Sequence, residues 1–406
     1  MRGTRYPFSP RAIRRGTTRQ VAAAASLAGL LLAATACAGG SGGATSGGGG
    51  TVKLGVIVAE TGPIAGAGKA FADGGRIAVQ EINGQDLIGG GKKIELVEKE
   101  GSEDPSKSAS VAAQLAADKS ITGMVCCILS PVAGAVKPVA IKQKLPLVLW
   151  GATEANLAQP PYVIRTVTMP QPANEKASQT VAKAKGLKTV AFGVMTDNAG
   201  IVSQADAFKK GMDQAGVKNL GQVGTLSTQT DFTSSATSLM QMSPDGIVVV
   251  GTQSNAVGLI AALHDKGYKG QIISGETISG AGVYKSQPDA LANVPFPVYF
   301  LASQATGLGK TFAADYQKKY GAAPDDYAAQ GFNAVYTMAM GLKAAGKDTS
   351  RAGLAKALGN LKSLPDNIYG AKVTFSGGQL DASSAVQVVH YTAPDGAIAP
   401  WSGPNQ

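Results

Sequence analysis

The sequence contains few of the residues that most often build metal and redox centres. Its 406 residues include three cysteines and two histidines, His264 and His390. Neither histidine has metal-ligand spacing to the other or to a cysteine, so we predict no metal site. No pair of nucleophile and base stands in a recognisable pattern, so we expect neither an enzyme nor a bound cofactor.

Acidic residues are absent from the first part of the chain, where six arginines precede Glu60, the first acidic residue. Without these six, the formal charge falls from +10 to +4. The remaining sequence shows no basic stripe interleaved with aromatic residues, which is the usual pattern of nucleic-acid surfaces. Nucleic acid is therefore not an expected partner.

The chain also lacks a long hydrophobic run. The run "VAAAASLAGLLLAATA" follows the arginines and is too short for a permanent transmembrane helix, so residues 1–36 are predicted to be an export signal. "LAATAC" resembles the lipobox of bacterial lipoproteins and predicts lipidation of Cys37. Residues 37–50 are rich in glycine and serine and are typical of a flexible tether. We therefore expect an extracytoplasmic protein anchored to the outer face of the cell membrane.

The end of this signal allows an alternative. Ala34-Thr35-Ala36 also fits an ordinary A-x-A cleavage site, which would leave Cys37 as the first residue of a secreted soluble protein.

From Thr51 onwards, short β-rich runs alternate with longer amphipathic runs. "VKLGVIV", "KKIELVEKE" and "ITGMVCC" predict strands, and the stretches between them predict helices. The same rhythm resumes at "TVAFGVMT" and "GIVVVGT". The pattern therefore predicts an α/β protein with two units, each a mostly parallel sheet covered by helices. More than a hundred residues remain after residue 300, first helical and then strand-like, and we expect them to return to the first unit and then to the second.

Two turns at the sheet edge of the first unit carry candidate binding groups. Ser130-Pro131 predicts a helix start with Ser130 as the N-cap, and free N–H groups at such a start favour a carboxylate by about 0.3–1 kcal/mol when exposed. A Ser-Pro helix start by itself often has no role beyond capping the helix. The next strand, "PLVLW", ends in "GATEANL", which offers the Gly151 backbone and the Thr153 hydroxyl at the neighbouring edge, where open α/β sheets bind ligands.

With these two turns, the chain resembles the branched-chain amino-acid receptors of the periplasmic-binding-protein family. The resemblance runs from "VKLGVIVAETGPIAGAGKAFADGGRIAVQEING" to the final strand. The resemblance implies a type I fold whose two lobes are joined by three crossovers. It places lobe 1 at 51–167 plus 302–372 and lobe 2 at 168–301 plus 373–406.

The same resemblance implies roles for individual residues. Ser130 and Thr153 would grip the α-carboxylate of an amino acid, and Glu276, in "QIISGET", would pair with its ammonium. Tyr327, in "DDYAAQGFNAVY", would form an aromatic wall of the pocket. The implied function is the substrate-binding component of an ABC importer, working as a monomer with a membrane permease.

Three departures from this family leave the ligand open. Ala67, Ala199 and Thr252 stand where relatives often have aromatic pocket residues, so we expect a roomier pocket or one with another filler. Trp150 is the candidate filler, and Thr252 is kept as a candidate ligand-binding residue. An amide, urea or aromatic acid is therefore an alternative ligand, and a receptor that reports to a signalling partner is an alternative function.

The adjacent cysteines Cys126 and Cys127 are expected to be buried, unbridged thiols. Neighbours on a strand point to opposite faces, and a bridge between them would need a Cα separation below the usual disulfide range. A packing role is the expectation.

Overall fold

The computed structural model describes residues 50–280 and 282–403. The expected export signal, the expected lipidation site Cys37 and all but the last residue of the expected tether lie outside the described residues. In the part of the chain that is described, no helix combines the length and apolarity needed to cross a membrane.

The first lobe, called lobe 1 below, is a seven-stranded sheet in the order β11-β12-β5-β4-β3-β1-β2. All neighbours pair in parallel except β11 and β12, which form an antiparallel hairpin. Its strands are β1 (Thr51–Val58), β2 (Lys93–Glu100), β3 (Ile121–Cys126), β4 (Leu147–Leu149), β5 (Val163–Arg165), β11 (Thr374–Ser376) and β12 (Gln379–Asp381). Its helices are α1 (Ala65–Gly84), α2 (Pro105–Ala117), α3 (Ser130–Lys142), α10 (Gly307–Tyr320), α11 (Asp326–Ala345) and α12 (Arg351–Gly359).

The second lobe, lobe 2, has a parallel sheet in the order β7-β6-β8-β9 and an antiparallel sheet in the order β10-β13-β14. Its strands are β6 (Thr189–Met195), β7 (Lys218–Thr225), β8 (Gly246–Val250), β9 (Gln271–Ser274), β10 (Phe296–Val298), β13 (Gln387–Thr392) and β14 (Ala397–Pro400). Its helices are α4 (Gln171–Lys185), α5 (Ala199–Gln214), α6 (Thr233–Gln241), α7 (Gln253–Asp265), α8 (Val283–Ser286) and α9 (Pro288–Leu291).

Helices cover both faces of the parallel sheets, which is why the central strands are apolar along their whole length. In lobe 1, α1, α10, α11 and α12 share one hydrophobic cluster, and α2 and α3 share another on the opposite face. The backbones of α1 and α11 nearly touch. A Cβ on Gly331 would lie 2.0 Å from the Phe71 carbonyl oxygen, so only glycine fits there and Phe71 is held in place.

The chain passes between the lobes three times: after β5, after β10 and after β12. The two-lobed α/β fold with parallel sheets is therefore confirmed. The expected boundary at 372/373 needs correction, because the hairpin of β11 and β12 pairs with β5 in the sheet of lobe 1. The last crossover thus follows Asp381. The two final strand-like runs of the sequence belong to different lobes, although the pattern alone gave no reason to separate them.

The cysteines are buried as expected, but the expectation that they are unbridged is wrong. Cys126 and Cys127 form a disulfide with a Cα separation of 3.7 Å. The argument from strand alternation fails because β3 ends at Cys126, and Cys127 leaves the extended conformation with a φ of 80°. Both side chains are buried in the cluster that holds α2 and α3, on one face of the sheet.

Candidate functional site

A cavity of about 60 Å³ lies between the two lobes. It is bounded by the loops that follow β3 and β4 in lobe 1 and by the loops that follow β6, β8 and β9 in lobe 2. Six of the seven ligand-binding residues expected from the sequence line it: Ser130, Gly151, Thr153, Thr252, Glu276 and Tyr327. The turns that carry Ser130 and Thr153 are called the hydroxyl turns below. The structure therefore brings both hydroxyl turns of lobe 1 and Glu276 of lobe 2 to one cavity.

Ser130 is the first residue of α3 and is 2% exposed. The N-cap position falls on Leu129, and Ser130 makes no capping hydrogen bond within its helix, contrary to the expectation. Its Oγ instead accepts a hydrogen bond of 3.0 Å from the Glu154 backbone N–H. A hydroxyl that accepts in this way can still donate its own proton. Ser130 is thus positioned by the turn after β4 and can donate to a solute.

Arg165 stabilises the turn that carries Thr153 through hydrogen bonds. Arg165 is 4% exposed, and its guanidinium donates hydrogen bonds to the carbonyl oxygens of Ala152 and Glu154 and to the side chain of Gln379. Burial lowers the pKa of Arg165 to about 10, so the side chain is still charged at neutral pH. The carbonyls on both sides of Thr153 are thereby fixed, and its hydroxyl is directed to the cavity.

The N-terminus of α5 closes over these hydroxyls from lobe 2. Asn198 caps the helix, with its Oδ1 accepting from the N–H groups of Gly200 at 2.9 Å and Ile201 at 3.3 Å. A Cβ on Gly200 would lie 2.7 Å from Ser130 Oγ and 2.8 Å from Thr153 Oγ1. Two helix N-termini, of α3 and α5, therefore meet at one side of the cavity, where their dipoles favour a negative group.

Glu276 lies at the other side of the cavity, directly after β9, and is 7% exposed. It is hydrogen-bonded to Asp326, the first residue of α11 in lobe 1. Burial, followed by the repulsion of Asp326, raises the pKa of Glu276 well above its usual value. Two buried carboxyl groups in hydrogen-bond contact cannot both be ionised, so the pair holds one proton.

The proton of this pair resides on Glu276. Asp326 Oδ1 accepts hydrogen bonds from the backbone N–H groups of Tyr299 at 3.1 Å and Phe300 at 2.8 Å, and its Oδ2 accepts from Gln330 at 3.0 Å. These donors stabilise the ionised form of Asp326 and have no counterpart of equal number at Glu276.

Aromatic side chains form the apolar wall. Tyr327 packs against Phe71, with ring centroids 5.4 Å apart, and donates a hydrogen bond of 3.0 Å to the Thr277 carbonyl of lobe 2. Trp150 does not line the cavity. It lies behind Phe71 at the same centroid distance, 1% exposed, and its Nε1 finds no acceptor among the described residues. Phe71 therefore takes the role of aromatic pocket residue that was expected of Trp150.

Several cavity residues escaped the sequence analysis, among them Phe71, Asn198, Gln204 and Gln330. Gln204 donates to Thr153 Oγ1 at 3.4 Å across the lobes. Phe71 lies in the middle of an amphipathic helix, where an apolar residue is ordinarily core, so no local signal distinguishes it. Asn198 could have been found, since Asn before a helix of apolar periodicity is an N-cap signal.

The cavity is also smaller than expected. By the measure that a water needs about 10–15 Å³ of such space, 60 Å³ holds about five waters. Ala67 and Thr252 line it, and so do the rings of Phe71 and Tyr327.

Comparison with known proteins adds family evidence. The sequence profile described as "Periplasmic binding protein" matches residues 51–396. The Leu/Ile/Val-binding protein BraC3 of Rhizobium johnstonii is 28% identical over 329 residues, which cover 80% of this chain and 87% of that protein.

Two solved structures share the fold. The branched-chain amino-acid transporter substrate-binding protein LivJ of Streptococcus pneumoniae, in complex with isoleucine, superposes with a TM-score of 0.74 at 23% identity, covering 86% of this chain and 97% of that one. A solute-binding protein of an ABC transporter from Rhodopseudomonas palustris, in complex with 3,4-dihydroxybenzoic acid, superposes with a TM-score of 0.76 at 20% identity, covering 86% and 95%.

Proposed function

Because the chain belongs to the periplasmic binding protein family, whose members bind small solutes outside the cytoplasm for ABC transporters, we propose that it binds a zwitterionic amino acid, branched-chain or related, for an importer. The observation that carries this proposal is the convergence of two hydroxyl turns and one opposing acid on a single cavity.

The carboxylate of the amino acid would lie between the N-termini of α3 and α5. There the hydroxyls of Ser130 and Thr153 donate to it, and the dipoles of both helices favour its negative charge. The close approach of Gly200 to both hydroxyls supports this placement, since it brings the second helix end within reach of the same group.

The ammonium would lie beside Glu276 on the opposite side. Charge-assisted hydrogen bonds contribute about 1.5–3 kcal/mol each, so a solute that lacks the amine should bind about 10- to 150-fold more weakly. Glu276 must release its proton to make this ion pair, and the released proton is a measurable signature.

Closure is ligand-dependent in this proposal. The solute contacts Ser130 and Thr153 in lobe 1 and Glu276 in lobe 2, and it favours the closed arrangement by its differential affinity. Direct contacts between the lobes, from Tyr327 to Thr277 and from Gln204 to Thr153, add to the closed arrangement. The closed receptor would be recognised by its permease.

Isothermal titration calorimetry of the mature protein tests the proposal. The probes are L-valine and L-leucine, each matched with the acid that lacks its amine, 3-methylbutanoate or 4-methylpentanoate. We expect the amino acids to bind and the matched acids to bind at least tenfold more weakly. Equal affinities within each pair would contradict the role of Glu276.

A second candidate ligand is an aromatic carboxylic acid. The observation that favours it is the protonated Glu276, whose second carboxyl oxygen can accept a hydrogen bond from a phenol O–H while the proton shared with Asp326 stays in place, next to the rings of Phe71 and Tyr327. A thermal-shift screen against amino acids, amides, urea and hydroxybenzoates separates the candidates, because a ligand of the folded state raises its melting temperature. A shift with 4-hydroxybenzoate and none with amino acids would favour the second candidate.

We also propose that the protein is held at the outer face of the membrane by a lipid on Cys37 and acts as a monomer. The lipobox-like "LAATAC" and the Gly/Ser-rich segment after it support the anchor. Mass spectrometry of the membrane-extracted protein tests it: an acylated Cys37 is expected, and Cys37→Ala should release the protein to the medium. Recovery of an unmodified Cys37 from the soluble fraction would favour ordinary secretion.

A further inference from the structure

We propose that the Cys126–Cys127 disulfide positions both hydroxyl turns of the cavity, and so acts as a positioning element for solute binding. The inference rests on the proposed function only in taking Ser130 and Thr153 as solute contacts.

The two cysteine carbonyls are the points at which the turn after β4 is fixed to the end of β3. The Cys126 carbonyl accepts from the Trp150 N–H at 3.1 Å. The Cys127 carbonyl accepts from two successive N–H groups, those of Gly151 at 3.2 Å and Ala152 at 3.1 Å. These amides directly precede Thr153, so the Cys127 carbonyl, together with Arg165, fixes the backbone that carries that hydroxyl.

The second turn depends on the same dipeptide. Ser130 follows Cys127 by three residues, and the chain between them leaves β3 through the positive φ of 80° at Cys127. A residue other than glycine rarely adopts this conformation and needs surrounding constraints to persist in it. A covalent bond between adjacent side chains supplies such a constraint, because it closes a small ring around the peptide that joins them.

The hydroxyl turns are also bonded to each other, through the Glu154 N–H and Ser130 Oγ. A change at Cys127 is therefore transmitted to Ser130 along the chain and to Thr153 across the strands. Turns that are already ordered lose little freedom on binding, which is the physical basis of the expected gain in affinity.

The competing explanation is that the cysteines only fill space. Cys126 is fully buried and Cys127 is 3% exposed, and both pack in the cluster that holds α2 and α3. The two explanations make opposite predictions about which of two double variants is more similar to the wild type. The variants are Cys126→Ala/Cys127→Ala and Cys126→Ala/Cys127→Gly. Glycine adopts a positive φ without cost but leaves more empty space than alanine.

Positioning predicts that the Cys127→Gly variant resembles the wild type more closely than the Cys127→Ala variant does. With L-leucine and 4-hydroxybenzoate as probes, we expect the alanine variant to bind the accepted probe about tenfold more weakly and the glycine variant to fall between it and the wild type. Packing alone predicts the reverse order in melting temperature, with unchanged affinity in both variants.

Amide hydrogen exchange provides a readout that needs no ligand. We expect faster exchange at Gly151 and Ala152 in the alanine variant, a smaller change in the glycine variant, and unchanged exchange in β6 of lobe 2 as an internal control. The intact mass of the wild-type protein should show the loss of two hydrogens that the disulfide requires.

Unchanged exchange at Gly151 and Ala152 in a folded alanine variant overturns the inference, as does a wild-type mass with both thiols reduced. Either result leaves the proposed function standing. If neither probe binds the wild type while the exchange pattern is as expected, the choice of solute is wrong and the positioning role is supported.

Discussion

Binding of an amino acid should release a proton, and the release should depend on Glu276. The structure places Glu276 and Asp326 in hydrogen-bond contact, both buried, with one proton between them. An ammonium group that pairs with Glu276 must displace this proton. One proton released per solute bound raises the association constant tenfold for each pH unit.

The slope holds between the ordinary carboxyl pKa and the raised pKa of Glu276. Over about pH 5–7 the carboxylate and ammonium of the solute keep their charges, so only the protein contributes. The buried hydroxyls of Tyr299, Tyr327 and Tyr369 face the pair, and burial keeps their pKa values well above this range. We therefore expect L-valine to bind more tightly at pH 7 than at pH 5, by up to tenfold for each pH unit that lies below the raised pKa of Glu276.

Stability should change in the opposite direction. The folded protein holds a proton on Glu276 that the unfolded chain releases above a pKa of about 4.5, so the free energy of unfolding falls as the pH rises through this interval. Solute binding compensates for the free energy of unfolding that is lost when Glu276 deprotonates. The melting-temperature shift caused by L-valine should therefore grow with pH.

Calorimetry in buffers of different ionisation enthalpy measures the proton count directly. Glu276→Gln is the matched variant, since it keeps the shape and can still donate to Asp326 but holds no titratable proton. We expect this variant to lose the pH slope and to bind the amino acid about 10- to 150-fold more weakly at pH 7. A slope that persists in Glu276→Gln, or wild-type binding without proton release, would refute the reasoning.

Three further variants test other contacts of the site. Gly200→Ala should weaken binding at least tenfold, because its Cβ would lie 2.7 Å from Ser130 Oγ and 2.8 Å from Thr153 Oγ1. Gly84→Ala in α1, where no atom lies within 4 Å, is the control, and equal affinities in both variants would contradict this account. Phe71→Leu should enlarge the cavity and improve the affinity of L-leucine relative to L-alanine in competition binding; an unchanged ratio would show that Phe71 does not limit solute size. Arg165→Lys keeps the charge but loses the forked hydrogen bonds to the turn, so calorimetry should show weaker solute binding, and wild-type affinity would mean that the turn needs no such support.

Much of the architecture could be predicted from the alternation of short β-rich runs with amphipathic runs. The signal is strong at β1, β3, β6 and β8, because strands buried on both faces must be apolar throughout. It is weak at β7 and α4. "KNLGQVGT" lies at a sheet edge with mostly polar side chains, and "QPANEKASQTVAKAK" has a narrow apolar stripe of small residues, so neither was assigned from the sequence.

The candidate site was predictable where local chemistry and position coincide. Ser130 and Thr153 lie just beyond the ends of neighbouring parallel strands, a place where ligands bind in this class of sheet. Asp326 and Phe71 could not be found in this way, because their roles come from contacts between helices and loops far apart in sequence. The hairpin of β11 and β12 was misassigned for a related reason, since strand propensity does not specify which sheet a strand joins.

Asp326 links the chemistry of the cleft to the connection between the lobes. The carboxyl that shares a proton with Glu276 also accepts the backbone amides of Tyr299 and Phe300, where the chain leaves β10 on its way back to lobe 1. Any solute that alters the charge of this pair therefore alters the electrostatic field at a crossover strand. Occupancy of the cavity would in this way be coupled to rotation of one lobe against the other. A docking protein would then sense the bound state from the orientation of the lobes without touching the solute.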